Sequence, residues 1–340
     1  MKATPEQRLE RQRDSALILG GEPQQIIARA ESLAQLGDEY GGRHFFDCLA
    51  RSPRAGHLEL LLQLVDASLN RWSPVFELAE GVAQRADVPE FVSLLSTRAR
   101  SLEFSANLLQ RLVCQGAALE HVAEVQVFRD ELLEREHPFG VLPLRRTSLE
   151  NSLVLSPKDL STETRFEFPR SNPAQAVAPR VAAVVEAPDA LRAATRAWRP
   201  WESLQVLLNP PHAGPIDLRS LPLASVRGGG LRVAETTASE VFVRLFDAAA
   251  QGGLPDLPFR RGRGALGSAA GRLAAFKTLS AFVDGPPLID AIDVAARAEQ
   301  CRWWLWEGTG WFGNVAWDFG AACLRPDGVT LVAHAATDTD

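Results

Sequence analysis

The chain has 340 residues, a mass of 37.0 kDa and a formal net charge of -6. Apolar residues make up 46% of it and charged residues 23%, which excludes disorder over most of its length because there is ample apolar surface to bury. No apolar run is long enough to cross a bilayer, so the sequence predicts no transmembrane helix and no membrane partner.

The distribution of charges and cysteines limits the compartment and the partners. Residues 1–136 carry 15 basic and 21 acidic side chains and the remainder carries 21 of each, which argues against nucleic-acid binding. Four scattered cysteines show no metal-ligand spacing, so we expect no metal, no cofactor and no disulfide framework. The charged N-terminus lacks the apolar core of a secretory signal, which predicts a cytoplasmic protein. Arginine far outnumbers lysine, as GC-rich bacterial genomes favour.

The first part of the chain, from residue 4 to about 135, follows helical spacing. Seven segments each predict one helix: 22–37, 42–51, 55–71, 74–86, 88–100, 101–115 and 117–135. Pairs of helices recur about every 33 to 36 residues, which fits a solenoid of helical hairpins and equally an irregular bundle. Either array would offer a surface to a protein partner.

One histidine–cysteine pair in this array is a possible nucleophilic site. His44 and Cys48 are four residues apart and would share a helix face. A cysteine nucleophile also needs an orienting group and an oxyanion site, and neither can be identified. We therefore expect a structural cysteine beside a surface histidine.

Residues 138–180 are rich in proline, serine and threonine, which forbids long helices. We place a domain boundary near 137 and expect a connector over 138–180 with short strands at 149–155 and 164–168. Residues 181–340 form the second domain.

The second domain mixes predicted strands and helices. Strands are predicted at 181–187, 203–211 and 228–237, and helices at 188–199, 238–251, 264–283 and 288–299. Glycines at the start of the 264–283 helix suggest a phosphate loop, but their spacing is wrong and Arg272 stands after Gly271 where the motif needs other residues. Arg260, Arg261 and Arg263 precede this helix, where they would bind a small anion or an acidic peptide, or form a solvated basic loop.

The last forty residues hold five of the eight tryptophans. Residues 301–306 predict a strand, residues 311–324 a second, and residues 329–336 a third that returns after an Arg-Pro-Asp-Gly turn. The result is a three-stranded antiparallel meander with one aromatic face. Its tryptophans either seal a core or line a pocket, and Trp311 and Trp317 are the candidate ligand-binding residues.

Few ionisable groups lie near these aromatic residues. Asp318 in an apolar setting would be a candidate acid or base, with Glu307 and His334 assisting. Whether Asp318 and His334 share a face depends on the hairpin register. A shift of one residue in the pairing would move the side chains of one strand to the opposite face.

The C-terminal segment resembles a bacterial family of unknown function. The resemblance rests on Ala316-Trp317-Asp318, on Leu324-Arg325-Pro326-Asp327-Gly328 and on the closing Ala336-Thr337-Asp338-Thr339-Asp340. It implies a bacterial cytosolic origin and no activity.

The sequence therefore predicts an α+β protein, in which a helical array precedes a mixed α/β domain that ends in an antiparallel meander. Without a recognisable catalytic motif, whether it is an enzyme stays open. The leading hypothesis is a non-enzymatic protein-interaction or regulatory protein. The alternative is a hydrolase or ligand-binding enzyme whose site lies around Asp318.

Overall fold

The computed structural model describes most of the chain as two compact units. The described residues are 4–67, 69, 73–96, 101–153, 176–227, 229–252, 264–283, 290–313 and 317–338. The helical unit comprises Met1–Gly140 with Gly267–Ala269, and the sheet unit comprises Val141–Leu266 with Ala270–Asp340.

The helical unit contains eight α-helices among its described residues, where the sequence predicts an array. They are α1 Pro5–Gly20, α2 Pro23–Leu36, α3 Glu39–Ala50, α4 His57–Asp66, α5 Val75–Ala83, α6 Val88–Leu95, α7 Leu102–Cys114 and α8 Ala123–Glu134. Alternate helices pack on one another in one continuous row, α1 on α3, α3 on α5 and α5 on α7. Two separate pairs, α2 with α4 and α6 with α8, contact this row. A row of alternate helices is one feature of a solenoid of helical hairpins.

Local sequence signals explain where these helices begin and end. Thr4 forms a capping box with Gln7, and the Asp87 and Ser101 side chains each accept a hydrogen bond from a backbone amide of the first turn. Gly37 ends α2 with a φ of 65°, a left-handed conformation that glycine adopts without strain.

The sheet unit contains a six-stranded, fully antiparallel sheet with the order β1-β2-β6-β5-β4-β3. Its strands are β1 Val181–Val185, β2 Trp201–Leu208, β3 Arg232–Thr236, β4 Arg302–Glu307, β5 Trp317–Leu324 and β6 Thr330–Asp338. Its helices are α9 Ala238–Gln251, α10 Gly267–Phe282 and α11 Ala291–Gln300. The predicted α+β class and the closing meander of β4, β5 and β6 are confirmed.

The predicted helix over 188–199 is wrong. A 3-10 turn over Asp189–Arg192 is followed by irregular turns, and prolines stand at positions 188 and 200. The segment buries Leu191, Thr195 and Trp198. Tertiary packing of these side chains therefore overrides the local helical preference.

The inner strands β4, β5 and β6 are buried on both faces of the sheet. One face, the loop face, packs Trp304, Trp306 and three apolar residues of β2 against the chain between residues 216 and 231. The other, the helix face, carries Trp303, whose ring lies 5.3 Å from that of Phe282 in α10 and whose Nε1 donates to the carbonyl of Ala298 in α11. Two apolar layers therefore enclose these inner strands.

A glycine in β5 makes room for an indole on the loop face. A Cβ built on Gly320 would come within 2.4 Å of the Trp306 ring, which lies on the neighbouring strand and donates from Nε1 to Ser225 Oγ. The close approach requires glycine for space, since real Cβ contacts of this length do not occur.

We expect Gly320→Ala to lower the free energy of unfolding by about 2 kcal/mol, because Trp306 must shift in a close-packed core. Urea unfolding followed by tryptophan fluorescence measures this. The control is Gly20→Ala, where no atom lies within 4 Å of the added methyl group. Equal midpoints for the two variants would contradict the proposed packing.

Candidate functional site

The two outer strands of the sheet differ in how they meet solvent. Every residue of β1 is exposed, and the strand reads Val-Ala-Ala-Val-Val without a single charge. Val184 is 62% exposed, and Leu207 of β2, which lies opposite Ala183 of β1, is exposed as well. An outer strand leaves a row of backbone N–H and C=O groups unpaired, which is a template for a further strand.

The other outer strand, β3, carries charges along its exposed positions. Arg232 pairs with Glu307 across the β3–β4 ladder, and Glu235 accepts from Arg302 at 2.9 Å. Charged side chains on an outer strand are a common protection against unwanted strand addition. Among the described residues, β1 is thus the sheet edge without such protection.

His334 lies at the centre of the sheet unit, fully buried on the helix face of β6. Its Nδ1 is 2.8 Å from Ser203 Oγ in β2, and its Nε2 is 2.8 Å from Thr195 Oγ1. A neutral imidazole has one donor and one acceptor nitrogen, and the two hydroxyls satisfy both. The pKa of His334 is lowered to about 4, mainly by burial and in smaller part by the Arg192 guanidinium, while a backbone hydrogen bond with Glu202 acts in the opposite direction.

The hairpin register separates the two residues that the enzyme hypothesis would combine. In the β5–β6 ladder Asp318 lies opposite Thr337, whereas His334 lies opposite Ala321. Successive residues of a strand point to opposite faces, so Asp318 lies on the loop face and His334 on the helix face. The Asp318 carboxylate accepts a hydrogen bond of 2.6 Å from the Thr337 hydroxyl. The structure therefore does not bring Asp318 and His334 together.

The remaining candidates of the tail have separate roles. Glu307 forms its ion pair with Arg232 at the β3 edge. Trp311 is half-buried against the loop-face cluster, with its ring 5.0 Å from that of Phe312. Trp317 begins β5 opposite Asp338, and its side chain lies outside the described part of the structure.

The tryptophans of β4 fill the core. Trp303, Trp304 and Trp306 are all buried. On the described residues, the aromatic strand therefore seals the sheet on both faces instead of lining a pocket.

The predicted basic segment before α10, with Arg260, Arg261 and Arg263, lies outside the described residues. Arg272, which follows the glycines, is fully buried and forms an ion pair of 2.6 Å with the equally buried Glu150. The Arg272 guanidinium also donates to the carbonyls of Pro143 and Arg145. Its partners are therefore internal, and it is not a phosphate ligand.

The structure brings His44 and Cys48 into contact, with the Cys48 sulfur 3.5 Å from His44 Nε2. Burial raises the pKa of the Cys48 thiol, while a hydrogen bond from Ser15 acts in the opposite direction. The thiol therefore stays protonated at neutral pH, which disfavours a nucleophile.

An open pocket of about 270 Å³ lies beside the turn after β1, lined by Asp189, Arg192, Ala193 and Arg196. Arg192 is held within it by an ion pair of 2.6 Å with Asp189 and by stacking on the Trp201 ring at 4.2 Å. Asp189 therefore balances the positive charge of Arg192 within the protein. Among the described residues, no cluster of histidine, cysteine and carboxylate side chains could hold a metal ion.

Sequence reasoning did not find the partners of His334 or the open sheet edge. Ser203 and Thr195 are 131 and 139 residues away from His334 along the chain, so no local pattern connects them. The β1 segment was identifiable as a strand, but its place at the edge depends on the order of all six strands.

The depressed pKa of His334 predicts a pH-dependent stability. The unfolded chain binds a proton at this histidine below pH 6.5 and the folded chain only below about 4. The stability is therefore complete above pH 6.5 and falls by about 3 kcal/mol as the pH drops through this window. Urea unfolding at a series of pH values measures the loss.

His334→Gln is expected to be less stable at pH 7 and to lack this part of the pH dependence. His121→Gln, at an exposed histidine, is the matched control and should keep it. An unchanged pH dependence in His334→Gln would show that the imidazole is not kept neutral by the fold.

Comparison with known proteins places the chain in a family. A family model described as a family of unknown function, DUF6183, matches residues 17–340, and the chain belongs to this family. No curated protein and no solved structure shows significant similarity to the chain. No helix in the described part of the chain is both long enough and apolar enough to cross a bilayer.

Proposed function

We propose that this member of DUF6183 is a non-enzymatic protein-binding protein, whose sheet unit binds an extended strand along β1. The observation that carries the proposal is the contrast between the two sheet edges. All five residues of β1 are exposed and uncharged, whereas β3 is covered by ion pairs. Addition of a strand to such an edge supplies backbone hydrogen bonds, and alternate side chains provide specificity.

The exposed apolar side chains next to the edge support a protein partner over a nucleic acid. Val184 is exposed on the loop face, and Val185 and Leu207 are exposed on the helix face, so apolar side chains flank the edge on both sides. A nucleic acid would require basic groups at such a surface. Apolar surface of this kind is typical of protein contacts.

The hydrolase alternative requires Asp318 and His334 to act at one site. A carboxylate and an imidazole act together only within hydrogen-bond reach of a shared substrate, and Asp318 and His334 lie on opposite faces of the sheet. We also propose the bacterial cytoplasm as its location, as the sequence predicts, and the four free cysteines are compatible with a reducing compartment.

Site-specific photo-cross-linking tests the proposal. A photoreactive amino acid replaces Val184 in β1 or, as the matched control, Ile292, an exposed apolar residue of α11. In the organism that encodes the protein, we expect cross-linked protein adducts at position 184 and few at position 292. Adding Ala183→Lys should remove the adducts at 184, since it places a charge on the docking strand. Equal yields at both positions, or no adducts at 184, would contradict the proposal.

A further inference from the structure

We infer that the strand bound at β1 is β1 of a second copy of this chain, so that two sheets join edge to edge about a twofold axis. This inference rests on the proposed function and specifies its partner. The observation behind it is the placement of charge around the strand, which is complementary to itself.

Arg180 immediately precedes β1 and Glu186 immediately follows it, and both are exposed. They lie three residues on either side of Ala183, the middle residue of the strand. In the described part of the structure neither side chain forms an ion pair. One positive and one negative group therefore flank an apolar strand symmetrically.

Antiparallel pairing of two identical strands about Ala183 places each residue opposite the one equally far on the other side. Val181 then faces Val185 of the second copy, and Ala182 faces Val184 of the second copy. Arg180 faces Glu186 of the second copy, and this ion pair occurs twice because of the symmetry. A twofold interface is self-complementary in this sense, and opposite charges directly across a ladder stabilise it.

Other registers lack this match. A shift that centres the pairing on Val184 places Arg180 opposite Pro188 of the second copy and Glu186 opposite Ala182. Charge complementarity therefore selects the register centred on Ala183.

The dimer is expected to be weak. The strand has five residues, and a β-bulge between Val181 and Ala183 interrupts its regular pairing. Bulges on outer strands limit strand addition. Such a contact buries less surface than a standard interface, so we expect a dissociation constant of roughly 1–100 µM.

Charge reversal tests the register with the full-length protein. Sedimentation velocity over a concentration series gives the dissociation constant. Arg180→Glu or Glu186→Arg alone turns two attractive pairs into two repulsive ones and should raise the constant about tenfold. The double variant R180E/E186R restores both attractions with the signs exchanged, and its constant should return to within about threefold of the original.

Matched controls are Arg227→Glu and Glu299→Arg, which reverse exposed charges elsewhere in the sheet unit and should leave the constant unchanged. Circular dichroism confirms that each variant is folded. If one single variant fails to fold, the other tests the same two pairs on its own, since each reversal makes both pairs repulsive in its homodimer.

Two results would overturn the inference. One is a wild-type protein that stays monomeric to about 300 µM, well above the expected constant. The other is a double variant as weak as the single ones. If adducts at position 184 contain only other proteins while the purified chain is monomeric, the second copy is excluded and the proposed protein-binding function stands. If no adducts form at 184 and the chain is monomeric, both fail.

Discussion

The antiparallel pairing of β5 with β6 is the constraint on which the sheet unit depends. All nine residues of β6 are buried, with a histidine in the middle of the strand. The turn between the strands fixes the register: Gly328 adopts a φ of 67°, and Asp327 accepts hydrogen bonds from the amides of Val329 and Thr330. A one-residue slip would move His334 to the loop face and away from the hydroxyls of Ser203 and Thr195. The buried imidazole would then have no partners, at a cost that disfavours the slipped register.

The strand order determines which parts of the sheet can bind a partner. It places β6 in the interior and leaves β1 and β3 as the edges. Apolar layers cover both faces of the inner strands, which leaves the edges as the accessible parts of the sheet. Because β3 is protected by charge and β1 is not, we propose β1 as the binding edge. The family name carries no function, and the proposal depends on this asymmetry.

Much of the fold was predictable from local patterns. Apolar residues at helical spacing predicted the helical array. Aromatic alternation and the Arg-Pro-Asp-Gly turn predicted the meander. The error over 188–199 arose because Leu191, Thr195 and Trp198 are buried in an irregular segment, which no periodicity reveals.

The functional features were less predictable, for a physical reason. The hydroxyl partners of His334 lie far away in sequence, and the separation of Asp318 from His334 depends on hydrogen-bond register, which composition does not specify. The charges of Arg180 and Glu186 were visible in the sequence. Their role in pairing can be recognised only when β1 is known to be an outer strand. Charges that flank an interior strand could not pair with those of a second copy.

The central claim is that β1 is an open edge that binds a further strand, and amide hydrogen exchange tests it most directly. We predict that the β1 amides facing away from β2 exchange fast in dilute protein and several-fold more slowly at about 300 µM, while β3 amides are unaffected and β6 amides stay protected throughout. Slow exchange of the outward-facing β1 amides in dilute protein would contradict the open edge, and exchange that does not change with concentration would contradict pairing with a second copy.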